Sequence, residues 1–442
     1  MNKFQVILIV CFILFTIVGV LMFAGVIPTP GGGGGGGKGG VKKFVLWGTI
    51  PRNSINQVLG SFNKDDAYAK TYSLSYIEKN EETLEIDLLR ALQDGTAPDL
   101  VLFPHEYLLA LKSHLYIIPT SSIDERTFKE LFVEGGEVFI GKDGISALPI
   151  FIDPLTLYWN RDILNSERIT ETPKDWSDVL LLGSTVSKRD SRGKILQSAI
   201  PLGTSKNITH AKEILSLLVM QTGDDIVHIG SVTREPQVVF GSNVPGEGTR
   251  SSAESALEYY VGFADPARAN YSWNSSLQSS IDAFAEGTAA FYIGFASDYT
   301  RIKSKNPHLN FDVAEVPQLE ASARDLTYGR IYGIAAIKDS SRLSDVFPFL
   351  FTVAITDPKI QGWFSDAVFL PPAKRALISV RKEDPIMATL YKSAIIARGW
   401  LDPNPEATRA IFGKMMEDVS AKITNSSSAI QQAQARLKNE FR

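Results

Sequence analysis

From Phe44 to Phe103 the apolar pattern alternates between a period of two and a period near 3.6, and no other feature limits the fold so tightly. FVLW (44–47) reads as a short strand, and Ile55, Val58, Leu59 and Phe62 then share one helical face. TYSLSYI (71–77) alternates like a strand. Asn80 is placed to cap a second helix, with Glu81 and Glu82 in its first turn and Leu84, Leu88, Ala91 and Leu92 turned inward. Gly95 closes that helix and DLVLF (99–103) supplies the third strand. Strand–helix–strand–helix–strand at this pitch predicts an α/β fold, an open and mostly parallel sheet flanked by helices.

The theme recurs. LTLYW (155–159), ILQSAI (195–200), AAFYIGF (289–295), FDVAEVP (311–317) and IYGIAAI (331–337) read as extended, and Ala211, Ile214, Leu215, Leu218 and Val219 line a helix ending at Gly223. The last ninety residues turn mostly helical, and Asn404-Pro405-Glu406 combines cap, N1 proline and first-turn acid. Pro348 falls within a helical run, which predicts a late helix start or a kink there. Residues 234–251 read as a surface loop, and no fixed-period repeat is present. A chain of 442 residues with 44% hydrophobic and 21% charged side chains has the apolar surface for two or three packed units.

Net charge −4 without a basic block argues against a nucleic-acid groove. Cys11 is the only cysteine, so the folded part has no disulfide and no thiol metal site. His105, His114, His210, His228 and His308 never recur at three- or four-residue spacing, so a helix-borne metal site is not expected. Nothing in the sequence asks for a cofactor.

Phe4 to Ile27 is apolar and uncharged, with Lys3 before it. At ~1.5 Å per residue the run reaches ~36 Å, enough to cross a ~30 Å hydrocarbon core. Residues 1–27 are therefore expected to form one uncleaved transmembrane helix, with the amino terminus in the cytoplasm and the folded part outside. Residues 28–40, PTPGGGGGGGKGG, form a flexible linker with a reach of ~20 Å. Gly32–Lys38 fits the start of a phosphate-binding loop, but Gly39 stands where Ser or Thr is needed and no strand precedes it.

In open parallel sheets, ligands sit beyond the carboxyl ends of the strands. Those ends carry Thr49 and Arg52, then Glu106 after Phe103, Asp153 before Pro154, and Phe295, Ser297 and Tyr299. Glu106 and Asp153 can accept hydrogen bonds from hydroxyls, each worth ~1.5–3 kcal/mol. Trp273, in the polar loop 271–276, and Trp400, before Asp402-Pro403, can cover an apolar ring face, as can Phe295 and Tyr299. Plainer readings stand beside these. Glu106 also suits a first-turn acid, Asp153 a turn, and the tryptophans, Trp176 above all, a packing role. Glu106 and Asp153 could instead imitate a glycosidase pair.

Five stretches together resemble the family 1 extracellular solute-binding proteins of ABC importers, the group that includes maltose binders. They are LLRALQDGTAPDLVLF (88–103), LPIFIDPLTLYWNRDIL (148–164), AFAEGTAAFYIGFASDY (283–299), YGIAAIKDSS (332–341) and RGWLDPNPEATRAIFGKMMEDV (398–419). The resemblance covers the chain from Val41 onward and implies a two-lobed periplasmic-binding-protein type II fold. It divides the chain into a first lobe of 41–150 with 288–332 and a second of 151–287 with 333–442. Glu106 stands where maltose binders carry a sugar-binding aspartate, and Asp153 where they carry a glutamate. Thr49 and Arg52 match polar cleft residues, and Phe103 and Phe295 fall near cleft tryptophans. Two positions depart from the pattern: Tyr107 replaces an arginine, and Ile411 and Phe412 align with aromatic residues of the closing helices.

Together with the expected anchor and linker, which stand in place of the family's usual lipid anchor, the resemblance implies a monomeric, membrane-tethered extracellular receptor without catalytic residues or metal. It would capture a small solute, a carbohydrate by preference, and pass it to ABC permease subunits. The alternatives are a surface glycoside hydrolase using Glu106 and Asp153, and an anchored sensor or adhesin without transport.

Overall fold

The computed structural model describes residues 41–441 apart from 231–233, 243–250, 321–323 and 381. The expected membrane helix (1–27), the linker (28–40) and much of the 234–251 loop lie outside the described residues. Among the described residues no helix is long and apolar enough to cross a membrane.

Strand β1 (Lys42–Gly48) lies between β2 (Tyr72–Glu78) and β3 (Leu100–Pro104), parallel to both. Helix α1 (Arg52–Lys64) turns Ile55, Val58 and Phe62 into the core, as its spacing requires. Asn80 accepts from the Glu82 N–H and caps a short turn that runs into α2 (Leu84–Gln93).

Beyond this unit the sheet changes direction. Strand β4 (Leu148–Asn160) is buried along its length except at Trp159, and it carries Asp153, Thr156 and Asn160 into the interior. Strands β5 (Phe291–Phe295) and β6 (Phe311–Ala314) lie antiparallel to its second part. Strand β7 (Thr327–Ala336) lies antiparallel to both β4 and β3, and β8 (Ala397–Arg398) pairs with its first residues. The order is β5–β4–β7–β3–β1–β2. The expectation of a mostly parallel sheet therefore holds for β1–β3 and the short β7–β8 pair only. Apolar alternation marks a strand but not the direction of its neighbour, and here two long strands run back through the sheet.

Helix α3 (Ala211–Gln221) is buried at every position but Met220, and Gly223 follows it at φ 90°, where a side chain would be strained. Helix α4 (Leu343–Phe351) begins before Pro348 and contains it, contrary to a late start, then loosens into a π-helical turn over Thr352–Thr356. Helices α5 (Pro358–Val368), α6 (Pro405–Ser420) and α7 (Ser426–Glu440) complete the chain. Asn404 caps α6 through the Ala407 N–H, with Pro405 at N1.

The packing redraws the expected division into lobes. Phe349 of α4 lies 4.9 Å from Phe44 and 5.0 Å from Tyr72, Lys42 pairs with Asp345, and the Tyr68 hydroxyl donates to Asp357. Helix α4 thus covers β1 and β2, and α5 packs on α1 with Trp363 edge-on to Tyr68, both in the first half and not the second. Strands β5 and β6, expected in the first half, pair with the end of β4 and belong to the second. Helix α6 stays with the second half, where Phe412 stacks on Phe240 and Trp400. Phe349→Ala should cost about 3–5 kcal/mol by opening a cavity under β1. Urea unfolding measures this, and a loss under 1 kcal/mol would separate α4 from that core.

Candidate functional site

Along β7, Tyr328, Arg330 and Tyr332 point to one face, and Gly329, Ile331 and Gly333 to the other. The first face meets Glu106, which sits in a single 3-10 turn (His105–Tyr107) directly after β3. Tyr328 donates its hydroxyl to Glu106 Oε1 at 2.9 Å, and Arg330 donates Nε to Oε2 at 2.6 Å. The second fork of Arg330 reaches Glu81 at 2.6 Å. Its guanidinium lies 5.8 Å from the Phe295 ring centre and 5.9 Å from that of Tyr332, within cation–π range.

The second half supplies the next link. Lys212, in the first turn of α3, is buried and places Nζ 2.8 Å from Asp402, 3.6 Å from Glu213 and 3.9 Å from Glu106. Asp402 also accepts from Thr408 on α6. Glu81, Arg330, Glu106, Lys212 and Asp402 thus alternate in sign from one half to the other. Burial by itself would raise the Glu106 carboxyl, but Arg330, Lys212 and the shared hydrogen bonds override it and hold it well below the usual range. Glu106 is therefore ionised and spoken for.

His105 fixes this turn from behind. It is fully buried, burial lowers its pKa to about 4, and its Nδ1 accepts from the Ile331 N–H at 3.2 Å. A Cβ on Gly399 would lie 2.0 Å from its ring, so the backbone before Trp400 can approach only as glycine.

Asp153 faces Arg330 in the β4–β7 register and accepts from the Ser297 N–H at 2.9 Å. Burial pushes its carboxyl up to about 6, with the Ser297 hydrogen bonds and Arg330 only partly offsetting. Beside it, His210 and Tyr292 both bond Asp298 at 2.7 Å, and the His210 ring lies 4.7 Å from Phe295.

Two cavities open on this side of β7. One of about 580 Å³ is lined by Thr49, Lys79, Asn80, Glu82 and Tyr107 of the first half, together with Arg409 of α6. The other, about 590 Å³, lies in the second half between α3 and α6 and includes Arg409 again. A larger groove of about 1040 Å³ lies on the opposite face, where Gly135 packs on Ile331. Its ion pairs, Arg234–Glu125 and Arg324–Glu134, are partly exposed surface contacts. The first side holds the buried, charge-perturbed groups drawn from both halves, and that combination marks it as the candidate site despite the smaller cavities.

The residues expected from sequence are only partly gathered there. Glu106, Asp153 and Phe295 surround Arg330, and Ser297 touches Asp153 through its backbone. Thr49 lines the first-half cavity, and its hydroxyl is buried without a partner among the described residues. Arg52 is exposed, with its backbone N–H tied to Glu78 at 2.8 Å.

Four aromatic expectations need correction. Phe103 is wholly buried edge-on to Phe139. Trp273 is buried because its loop is tied to neighbouring segments: the Ser272 hydroxyl donates to the Ile200 carbonyl and the Trp273 backbone N–H to the Phe263 carbonyl, while its indole N–H has no partner among the described residues. Tyr299 stacks on Phe369 at 5.1 Å. Trp400 is buried against Phe412, donates to Ser216 and lines the opposite groove. None presents a free ring to the candidate site. Ile411 and Phe412 likewise face the core, while Arg409 and Gly413 face the cavity.

Arg330, Lys212, Tyr328, Asp402 and Arg409 were not expected. A lone arginine in a buried strand, and a lysine opening an apolar helix, are the signals that could have found the first two. Among the described residues no cluster could hold a metal ion.

Because native Asp153 keeps a proton that the unfolded chain has released, its contribution to stability should fall as pH rises from about 4 through 6. Asp153→Asn should remove that fall, so wild type should lose about 2 kcal/mol relative to the variant over this range. Urea midpoints at pH 4 and 7 read it, and parallel profiles for the two proteins would contradict it.

The family model described as bacterial extracellular solute-binding protein matches residues 58–389. No curated protein matches the sequence. Among solved structures, the cyclic alpha-maltosyl-1,6-maltose binding protein from Arthrobacter globiformis is 13% identical, with 91% of this chain and 99% of that chain covered at a TM-score of 0.72. A cyclo/maltodextrin-binding protein complexed with maltotetraose is 14% identical over 91% and 98% of the two chains, TM-score 0.69. The sugar-binding protein MalE from the phytopathogen Xanthomonas citri is 14% identical over 90% and 97%, TM-score 0.69. At these identities the likeness is one of fold, a two-domain mixed α/β architecture.

Proposed function

The chain belongs to the bacterial extracellular solute-binding protein family, and from that premise we propose that it is the capture receptor of an ABC importer, taking up a carbohydrate in the gap between its halves. The observation that carries this is the meeting of Glu106, Arg330 and Lys212 across the two halves, beside cavities large enough for a small sugar. Hydroxyls suit such a place, since each can both donate to a carboxylate and accept from a cation. The solved relatives of this fold bind maltodextrins, mannooligosaccharides and tagatose by their titles, which supports a carbohydrate over other solutes.

The receptor acts outside the cytoplasm as a monomer. Residues 1–27 anchor it as a single membrane span and residues 28–40 tether it, so that the folded part is presented to permease subunits at a raised local concentration. It binds without altering its solute. Glu106, already held by two cations, leaves no free carboxylate pair with Asp153 for glycoside cleavage.

Titrating the full-length protein with mono- and oligosaccharides, while following tryptophan fluorescence and assaying products, tests this reading. Saturable binding near −8 kcal/mol, micromolar in Kd, with no product formed is the expected result. Release of reducing ends would establish the hydrolase instead, and a flat response to every sugar would remove carbohydrate as the solute.

A further inference from the structure

Arg409 is the feature of the candidate site that the charge ladder leaves unexplained. It is exposed, lies one turn into α6, and is shared by both cavities, the only second-half residue lining the first-half one. Every other cation lining the two cavities is engaged among the described residues. Lys79 pairs with Asp87 and lies over Trp47, Lys206 pairs with Glu417, Lys414 with Asp418, and Lys212 with Asp402. Arg409 is the one cation of the two cavities without an ion pair or hydrogen bond among the described residues.

Glu82 and Glu406 also line these cavities without a partner, but each stands in the first helical turn, where the helix N-terminus offsets a negative charge. Arg409 sits near that same positive end of α6 and gains nothing from it. An unpaired guanidinium held in a positive helix terminus beside a cavity is a place where an anion is stabilised by both. The first-half cavity also holds the unpartnered Thr49 hydroxyl and Tyr107, beside Glu78 and Glu81, which are engaged by the Arg52 N–H and by Arg330. Among the described residues Tyr107 is also the only aromatic one lining either cavity, so little is built to stack on the bare ring face of a neutral sugar.

We propose that Arg409 is the specificity-determining residue of this site and selects a sugar that carries an anionic group, a carboxylate or a phosphate ester. The proposal rests on the reading of the chain as a carbohydrate receptor. The guanidinium clamps the anion with two parallel N–H donors, while Thr49 and Tyr107 take neighbouring hydroxyls.

The test titrates the full-length protein with glucuronate, galacturonate and glucose 6-phosphate against glucose, galactose and maltose. Wild type, Arg409→Gln and Arg409→Lys are compared at two salt concentrations. The expected result is at least tenfold tighter binding of one anionic class by wild type, weakened by salt. Arg409→Gln should weaken binding of the anionic sugars at least tenfold more than binding of the neutral ones, and Arg409→Lys should keep part of the preference. Uronates and the phosphate ester distinguish the two anions. Tight binding of neutral sugars alone, or equal losses for both classes in Arg409→Gln, would overturn the role of Arg409 and leave the receptor standing. Binding of neither class by a folded protein would overturn both readings.

Discussion

A carboxylate held between two cations from different parts of the chain organises this protein. Glu106 leaves the end of β3, takes Arg330 from β7 on one oxygen, and lies near Lys212 of α3 on the other. An isolated buried carboxylate is costly, and either cation alone would be too; together with Glu81 and Asp402 they form a ladder of alternating sign. Its members come from five separate segments, so the ladder can exist only when both halves are folded and apposed. His105, Gly399 and the Tyr328 hydroxyl hold the turn that presents Glu106. The cavities flanking the ladder are consequences of where those helices end.

The two faces of β7 divide the labour. On one, polar groups from both halves are buried and their charges strongly shifted. On the other, a wider groove is bridged by half-exposed arginine–glutamate pairs, which are screened and individually weak. Volume alone would favour the wider groove as a binding site. The chemistry of the lining favours the narrower side, because there the buried, charge-shifted groups are drawn from both halves.

Much of the first half was legible in the sequence. Local signals fix it: a helical face at Ile55, Val58 and Phe62, a cap at Asn80, parallel strands separated by helices. The Asn404 cap of α6 was equally readable. What could not be read was pairing at a distance. Nothing in FDVAEVP says that it will lie antiparallel to LTLYW, and nothing in Phe349 says that it will cover Phe44. The candidate site shows the same boundary. Glu106 and Asp153 were found because strand ends are local features. Arg330, Lys212 and Arg409 are brought beside them by topology. The polar loop around Trp273 misled because its hydrogen bonds run to Ile200 and Phe263 in the protein interior, and polarity in sequence does not reveal who the partners are.

The central claim is that Glu106 and Lys212 join the two halves energetically. A double-mutant cycle on unfolding free energy, with Glu106→Gln, Lys212→Met and the pair, measures that link directly. A coupling of about 1–3 kcal/mol is predicted for charges in one buried network. Additive effects, with coupling indistinguishable from zero, would contradict it.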